Sequence, residues 1–137
     1  MKKVGAKMEY ADERMADLMR LYHEYLRECK HISLADVYEK IVNLPSRRFW
    51  VSSTHALKVV SAILRGEDIL LSMRRPKAEM YIEIFRRVMQ LKEREPSTSI
   101  AKLCEQVVQQ PAPKIYLSPG SAKIMIYQYR RDKRRNG

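Results

Sequence analysis

Glycine is scarce, with four in 137 residues. That leaves no glycine-rich loop to cradle phosphates, no dinucleotide-binding turn and no nucleophile elbow. No cofactor is expected. Cysteine is scarcer still: Cys29 and Cys104 are alone, too few for a disulfide framework, and each falls on an apolar helical stripe that reads as reduced core. His23, His31 and His55 share no ligand spacing with one another or with the cysteines, so no metal site is expected. No apolar stretch approaches the ~20 residues of a membrane span, and MKKVGAKMEYADERM lacks the apolar run of a signal peptide. A cytoplasmic chain without a membrane partner is the expectation. The carboxylates read as lying on solvated helix faces. General acid–base chemistry then has no home, and the chain is expected not to be an enzyme.

What is present is repetition. Ser33–Val60, SLADVYEKIVNLPSRRFWVSSTHALKVV, lies over Ser99–Ile126, SIAKLCEQVVQQPAPKIYLSPGSAKIMI, without a gap at an offset of 66. Ser33/Ser99, Ala35/Ala101, Glu39/Glu105, Val42/Val108, Pro45/Pro111, Ser52/Ser118 and Ala56/Ala122 are identical pairs. A fixed-period repeat means one small module used twice. Either copy alone is small for an independent core, so the two are expected to pack together.

The periodicity within each copy is helical. Ala11, Met15, Leu18, Tyr22, Tyr25 and Cys29 mark a first helix over residues 9–30. Ser33 reads as an N-cap with Asp36 as its capping-box partner. Leu34, Val37, Tyr38, Ile41 and Val42 stripe a second helix that stops before Pro45. After a connector, Ser52 caps a third helix lined by Ala56, Val59, Val60 and Ile63, and Gly66 ends it. The second copy follows suit: Tyr81, Ile84, Phe85, Val88 and Leu91, then Ile100, Leu103, Cys104, Val107 and Val108, then Ala122, Met125, Ile126 and Tyr129. Pro76 is placed to open its first helix, and Ser118-Pro119 is an N-cap followed by proline at the first helical position. Phe49-Trp50-Val51 and Ile115-Tyr116-Leu117 are too short for proper strands and read as extended core plugs, or as pieces that pair briefly. The fold expected is all-α: a first trihelical module at 1–66, a second at 67–129 whose apolar linker 67–75 packs between them, and a disordered basic tail at 130–137.

Charge is distributed in a telling way. The net charge is +11; residues 1–66 carry 12 Lys/Arg against 8 Asp/Glu, and residues 67–137 carry 15 against 8. A polyanionic partner is favoured. In a trihelical helix-turn-helix unit the outer face of the third helix is free to enter a DNA major groove. Here that face holds Thr54, His55, Lys58, Ser61 and Arg65 in one copy. In the other it holds Ser121, Lys123, Ile124, Tyr127, Gln128 and Arg131. Neither set includes a carboxylate. Arg47 and Arg48 in the first connector and Lys114 in the second are candidate phosphate contacts. Arg130, Arg131, Lys133, Arg134 and Arg135 of the tail add sequence-independent attraction.

The plan resembles the helix-turn-helix superfamily, except that the connector Asn43–Ser52 exceeds the usual 3–4-residue turn. The stretch from Pro111 to Lys123, PAPKIYLSPGSAK, resembles small proteins carried by bacterial prophages and mobile elements. The resemblance implies a bacterial or phage-encoded chain acting in a DNA transaction. The reading is therefore a double-stranded DNA-binding protein with two unlike half-sites. A helical assembly component with a protein partner or self-association is the alternative. Binding of RNA or single strands by stacking on Phe49 and Trp50 is a third.

Overall fold

The computed structural model describes residues 10–31 and 33–136. The start of the first helix expected at residue 9, the preceding residues 1–8, the side chains of Leu34 and Asn136, and the final Gly137 lie outside the described residues. The described chain is helical, with no strand longer than a single bridge. The helices are α1 (Ala11–Glu28), α2 (Leu34–Ile41), α3 (Ser53–Leu64), α4 (Arg75–Arg94), α5 (Ile100–Val108) and α6 (Pro119–Asn136); a 3-10 turn, Ile69–Ser72, lies between α3 and α4. Leu34 and Ile100, and likewise Ser53 and Pro119, begin their helices 66 positions apart.

Local chemistry sets the boundaries. Ser52, Ser99 and Ser118 each cap a helix, their hydroxyls accepting from the backbone N–H of His55, Lys102 and Ser121 at 3.1, 3.2 and 3.1 Å. Each such cap is worth about 1 kcal/mol. Ser33 departs from the expected capping box: its side chain makes no cap bond, and its carbonyl takes the Asp36 N–H instead at 3.0 Å. Gly66 ends α3 at φ 81, the left-handed region open to glycine.

Two hydrophobic cores form, and they do not follow the order of the chain. One gathers Ala56, Val59 and Val60 of α3 with Met80, Tyr81, Ile84 and Val88 of α4 and Leu103, Cys104 and Val107 of α5. The other gathers Leu18, Met19 and Leu21 of α1, Val37 and Ile41 of α2, and Ala122 and Ile126 of α6. Helix α3 thus packs on α4 and α5, and α6 packs on α1 and α2. The sequence-based expectation was that each third helix closes on the two helices before it; instead the third helices are exchanged. Consecutive α2 and α3 do not pack on each other, nor do α5 and α6. This accounts for the long connectors, which carry the chain from one core to the other rather than turning a corner within one.

The connectors cross side by side. Ser46 and Ala112 form an isolated antiparallel bridge. Beyond it Phe49 enters the α3–α4–α5 core and Ile115 enters the α1–α2–α6 core. Both are plugs, as their sequence context suggested. The linker is packed rather than free: Ile69, Leu70 and Met73 lie against the α3–α4–α5 core, while Leu71 is 83% exposed.

The basic tail also differs from expectation. The chain does not leave the fold at residue 130, since α6 runs on to Asn136. Arginine and lysine are good helix formers, and Lys133, Arg134 and Arg135 occupy the last turn, where the helix dipole favours cations.

Candidate nucleic-acid interface

The third helices hold most of the candidate contacts, and the structure sorts these by how free they are. On α3, Thr54, His55 and Lys58 are exposed. Ser61 is half-buried, and Arg65 is exposed but paired to Glu67 at 2.7 Å. On α6, Lys123, Gln128, Arg134 and Arg135 are exposed. Arg130 donates to the Tyr22 hydroxyl at 3.1 Å, Arg131 pairs with Asp132 at 3.4 Å, and Lys133 sits 5.6 Å over the Tyr129 ring. Ser121 is half-buried and accepts from Ser118 Oγ at 3.0 Å. The α3 and α6 sets belong to separate cores, and the two helices do not touch.

The connector cations are less available than their sequence position suggested. Arg48 points inward: it donates to the carbonyls of Phe49 and Val51 at 3.0 and 3.1 Å, and its guanidinium lies 4.6 Å from the Tyr10 ring and 5.4 Å from that of Trp50. Lys114 pairs with Glu79 at 3.3 Å. Hydrogen bonds from Arg75 and then Lys114 hold the Glu79 carboxyl below its usual range. Arg47 is exposed and approaches Asp17 at 3.8 Å.

Asp17 corrects the picture of carboxylates as solvated. It is 2% exposed. Its Oδ2 accepts from Ser46 Oγ at 2.8 Å, the Arg47 backbone N–H at 3.0 Å and Trp50 Nε1 at 3.0 Å. Its Oδ1 accepts from Arg20 at 2.9 and 2.6 Å. Burial pushes the carboxyl pKa up, but these donors outweigh it and hold the pKa low. Asp17 therefore fastens the first connector to α1 just where the chain begins to cross.

The second half does a similar job with Glu83, at the same offset of 66. Glu83 pairs with Arg86 and with Arg87, the latter at 2.7 Å, and these pairs lower its carboxyl pKa, Arg86 first. Arg87 in turn donates to the Pro111 carbonyl at 2.9 Å, much as Arg20 reaches the Pro45 carbonyl at 3.4 Å. The signal was readable: an acid followed three places later by arginine recurs as Asp17–Arg20 and Glu83–Arg86.

Phe49 is 1% exposed, covered by Arg87 at 5.0 Å and stacked on Tyr116 at 6.0 Å. Its ring is closed to an incoming base. Trp50 remains half-exposed. It lines a cavity of about 260 Å³ with Arg14 and Lys77, neither of which stood out in the sequence. Arg14 had a signal, a charge beside the apolar stripe of Ala11, Met15 and Leu18; Lys77 had none. Among the described residues, no helix is long and apolar enough to cross a membrane, and no three His, Cys, Asp or Glu side chains gather as a metal ion would require.

No family model, curated protein or solved structure matches this chain.

Proposed function

We propose that the chain is a cytoplasmic, non-enzymatic double-stranded DNA-binding protein, bacterial or phage-encoded, whose contact surface is the outer faces of the exchanged helices α3 and α6. The observation that carries the reading is the charge of these two helices. Helix α3 contains no acidic residue, α6 contains Asp132 alone, and the acids concentrate on α1 and α4. Lys58, Lys123, Arg134 and Arg135 meet phosphates, while Thr54, His55 and Gln128 approach base edges. With Arg48 and Lys114 engaged internally, the connectors contribute Arg47 at most.

The test is a fluorescence-anisotropy titration against random duplex, single-stranded DNA and structured RNA at several salt concentrations. Duplex binding is expected to weaken steeply with salt. Lys58→Glu with Lys123→Glu is expected to reduce both the affinity and the salt slope, by about 0.9 for each phosphate no longer neutralised. Unchanged affinity in the folded double variant defeats the reading.

A second reading rests on one specific feature. Ile124 and Tyr127 on the outer face of α6 are 58% and 66% exposed. Apolar groups so placed fit a helical assembly component with a protein partner. Sedimentation distinguishes the two readings: a monomer that binds duplex supports the first, and a concentration-dependent oligomer removed by Tyr127→Lys supports the second.

A further inference from the structure

The cavity beside Trp50 lies where the two halves of the chain meet. Trp50 comes from the first connector, Tyr116 from the second, Arg14 from α1, His55 from the start of α3, and Lys77 and Tyr81 from the start of α4. Neither half encloses it alone. Two kinds of group line it. The walls include the rings of Trp50, Tyr81 and Tyr116, which suit a planar partner. The charged lining is wholly basic, Arg14 and Lys77, with His55 beside them, and no carboxylate lines it.

Two further observations mark it as more than a packing defect. Arg14 Nε is buried and, among the described residues, has no hydrogen-bond partner. A buried guanidinium N–H without an acceptor costs free energy, and it belongs to a side chain that lines the cavity. Tyr116 holds φ 60, a left-handed backbone that is unfavourable for a bulky side chain. Such strain collects at ligand clamps, and here it places the tyrosine between Phe49 and the cavity.

We propose that this cavity binds a nucleotide, with the base against the aromatic walls and the phosphate on Arg14 and Lys77. At about 260 Å³ it falls just below the ~300–1,000 Å³ typical of sites that enclose drug-sized ligands. One nucleotide therefore fills it with part left at the mouth. The shared chemistry fits either a free nucleotide or one nucleotide of a strand. The site meets the α3 face only at His55; Lys58 and Lys123, the cations proposed to hold duplex phosphates, do not line it.

The single tryptophan of the chain lies in the site and serves as its reporter. The full chain is titrated with adenosine 5′-monophosphate, adenosine, inorganic phosphate and a short oligodeoxyadenylate single strand, following tryptophan emission and calorimetric heat. Saturable binding of the monophosphate is expected, at least tenfold tighter than adenosine or phosphate alone. Arg14→Met and Lys77→Gln are each expected to weaken it about tenfold, with circular dichroism unchanged. Lys102→Gln, at an exposed position of α5 away from the cavity, leaves it as it was. A strand that binds much more tightly than the monophosphate names a strand nucleotide as the ligand, and equal affinity names the free nucleotide; both support the site. The absence of saturable binding by any of the four probes overturns the proposal. So does binding that survives Lys77→Gln, a side-chain change at an exposed position that keeps the test valid should Arg14→Met fail to fold. Loss of duplex binding in the Lys58 and Lys123 variants leaves this result untouched.

Discussion

Ser46 and Ala112 each donate a backbone N–H to the other's carbonyl at 3.0 Å, and they stand 66 positions apart. Residues equivalent in the two halves thus meet each other, as residues on a two-fold axis do. The halves cross at this bridge, and each delivers its third helix to the other's core. The expected outcome of separating them follows. Residues 1–66 and 67–137, made as separate chains, do not fold as monomers, because α3 and α6 lack the surfaces that bury them. Mixed in equal amounts they form a one-to-one complex that melts cooperatively. Sedimentation and thermal melts check this, and a half that melts cooperatively as a monomer refutes the exchange.

Asp17→Asn replaces a buried carboxylate that holds three connector donors, from Ser46, Arg47 and Trp50, together with Arg20 of its own helix. The loss is expected to be about 3–5 kcal/mol, the range for breaking a buried charged pair. Glu83→Gln should cost less, about 1 kcal/mol, because Glu83 is partly open to solvent and screened. Urea unfolding of both variants measures the difference. The sign with pH is set by the lowered pKa of Asp17. Its contribution is fully present above the unfolded carboxyl value of about 3.9 and is lost as pH falls below that, through the lower folded value. The wild type should therefore destabilise with acid below about pH 4 more steeply than Asp17→Asn.

Much of the local plan was legible in the sequence, and the exchange was not. The stripes of α2 and α5 and the caps at Ser52 and Ser118 depend on neighbours within a few residues, which periodicity reports directly. Which core a stripe enters depends on partners dozens of residues away. Because the halves are alike, an apolar face such as Ala56, Val59 and Val60 fits either core equally well on pattern alone. The long connector was the visible trace of the crossing, but length gives no destination. Asp17 was misread for a related reason: it borders the apolar stripe, and its burial depends on Trp50, 33 residues on. The tail was misread because its charge density outweighed its helix propensity.

Tyr116 offers a direct test of backbone strain. At φ 60, asparagine is tolerated and a β-branched residue is not. Tyr116→Asn and Tyr116→Val both lose the ring stacked on Phe49, so the stacking loss largely cancels between them. Tyr116→Val is expected to be less stable than Tyr116→Asn by about 1–2 kcal/mol, read from paired denaturation curves. Equal stabilities would place the cost in the ring rather than the backbone.

The two cysteines should separate cleanly by reactivity. Cys104 is fully buried in the α3–α4–α5 core, and burial pushes its thiol pKa up to about 11. Cys29 is half-exposed at the end of α1. A chromogenic disulfide reagent at pH 8 is expected to titrate one thiol rapidly in the native protein and two in denaturant. Cys29→Ser removes the fast phase, whereas Cys104→Ser leaves it in place.

The packed linker between α3 and α4 has a consequence for a dilute cell. Two separate chains that exchanged helices in this way would come apart as their concentration fell below the dissociation constant. Here the segment from Gly66 to Arg74 tethers the partners at an effective concentration in the millimolar range typical of short links. Assembly becomes a unimolecular event, and its extent is independent of copy number. A few molecules per cell would be as completely assembled as many thousands.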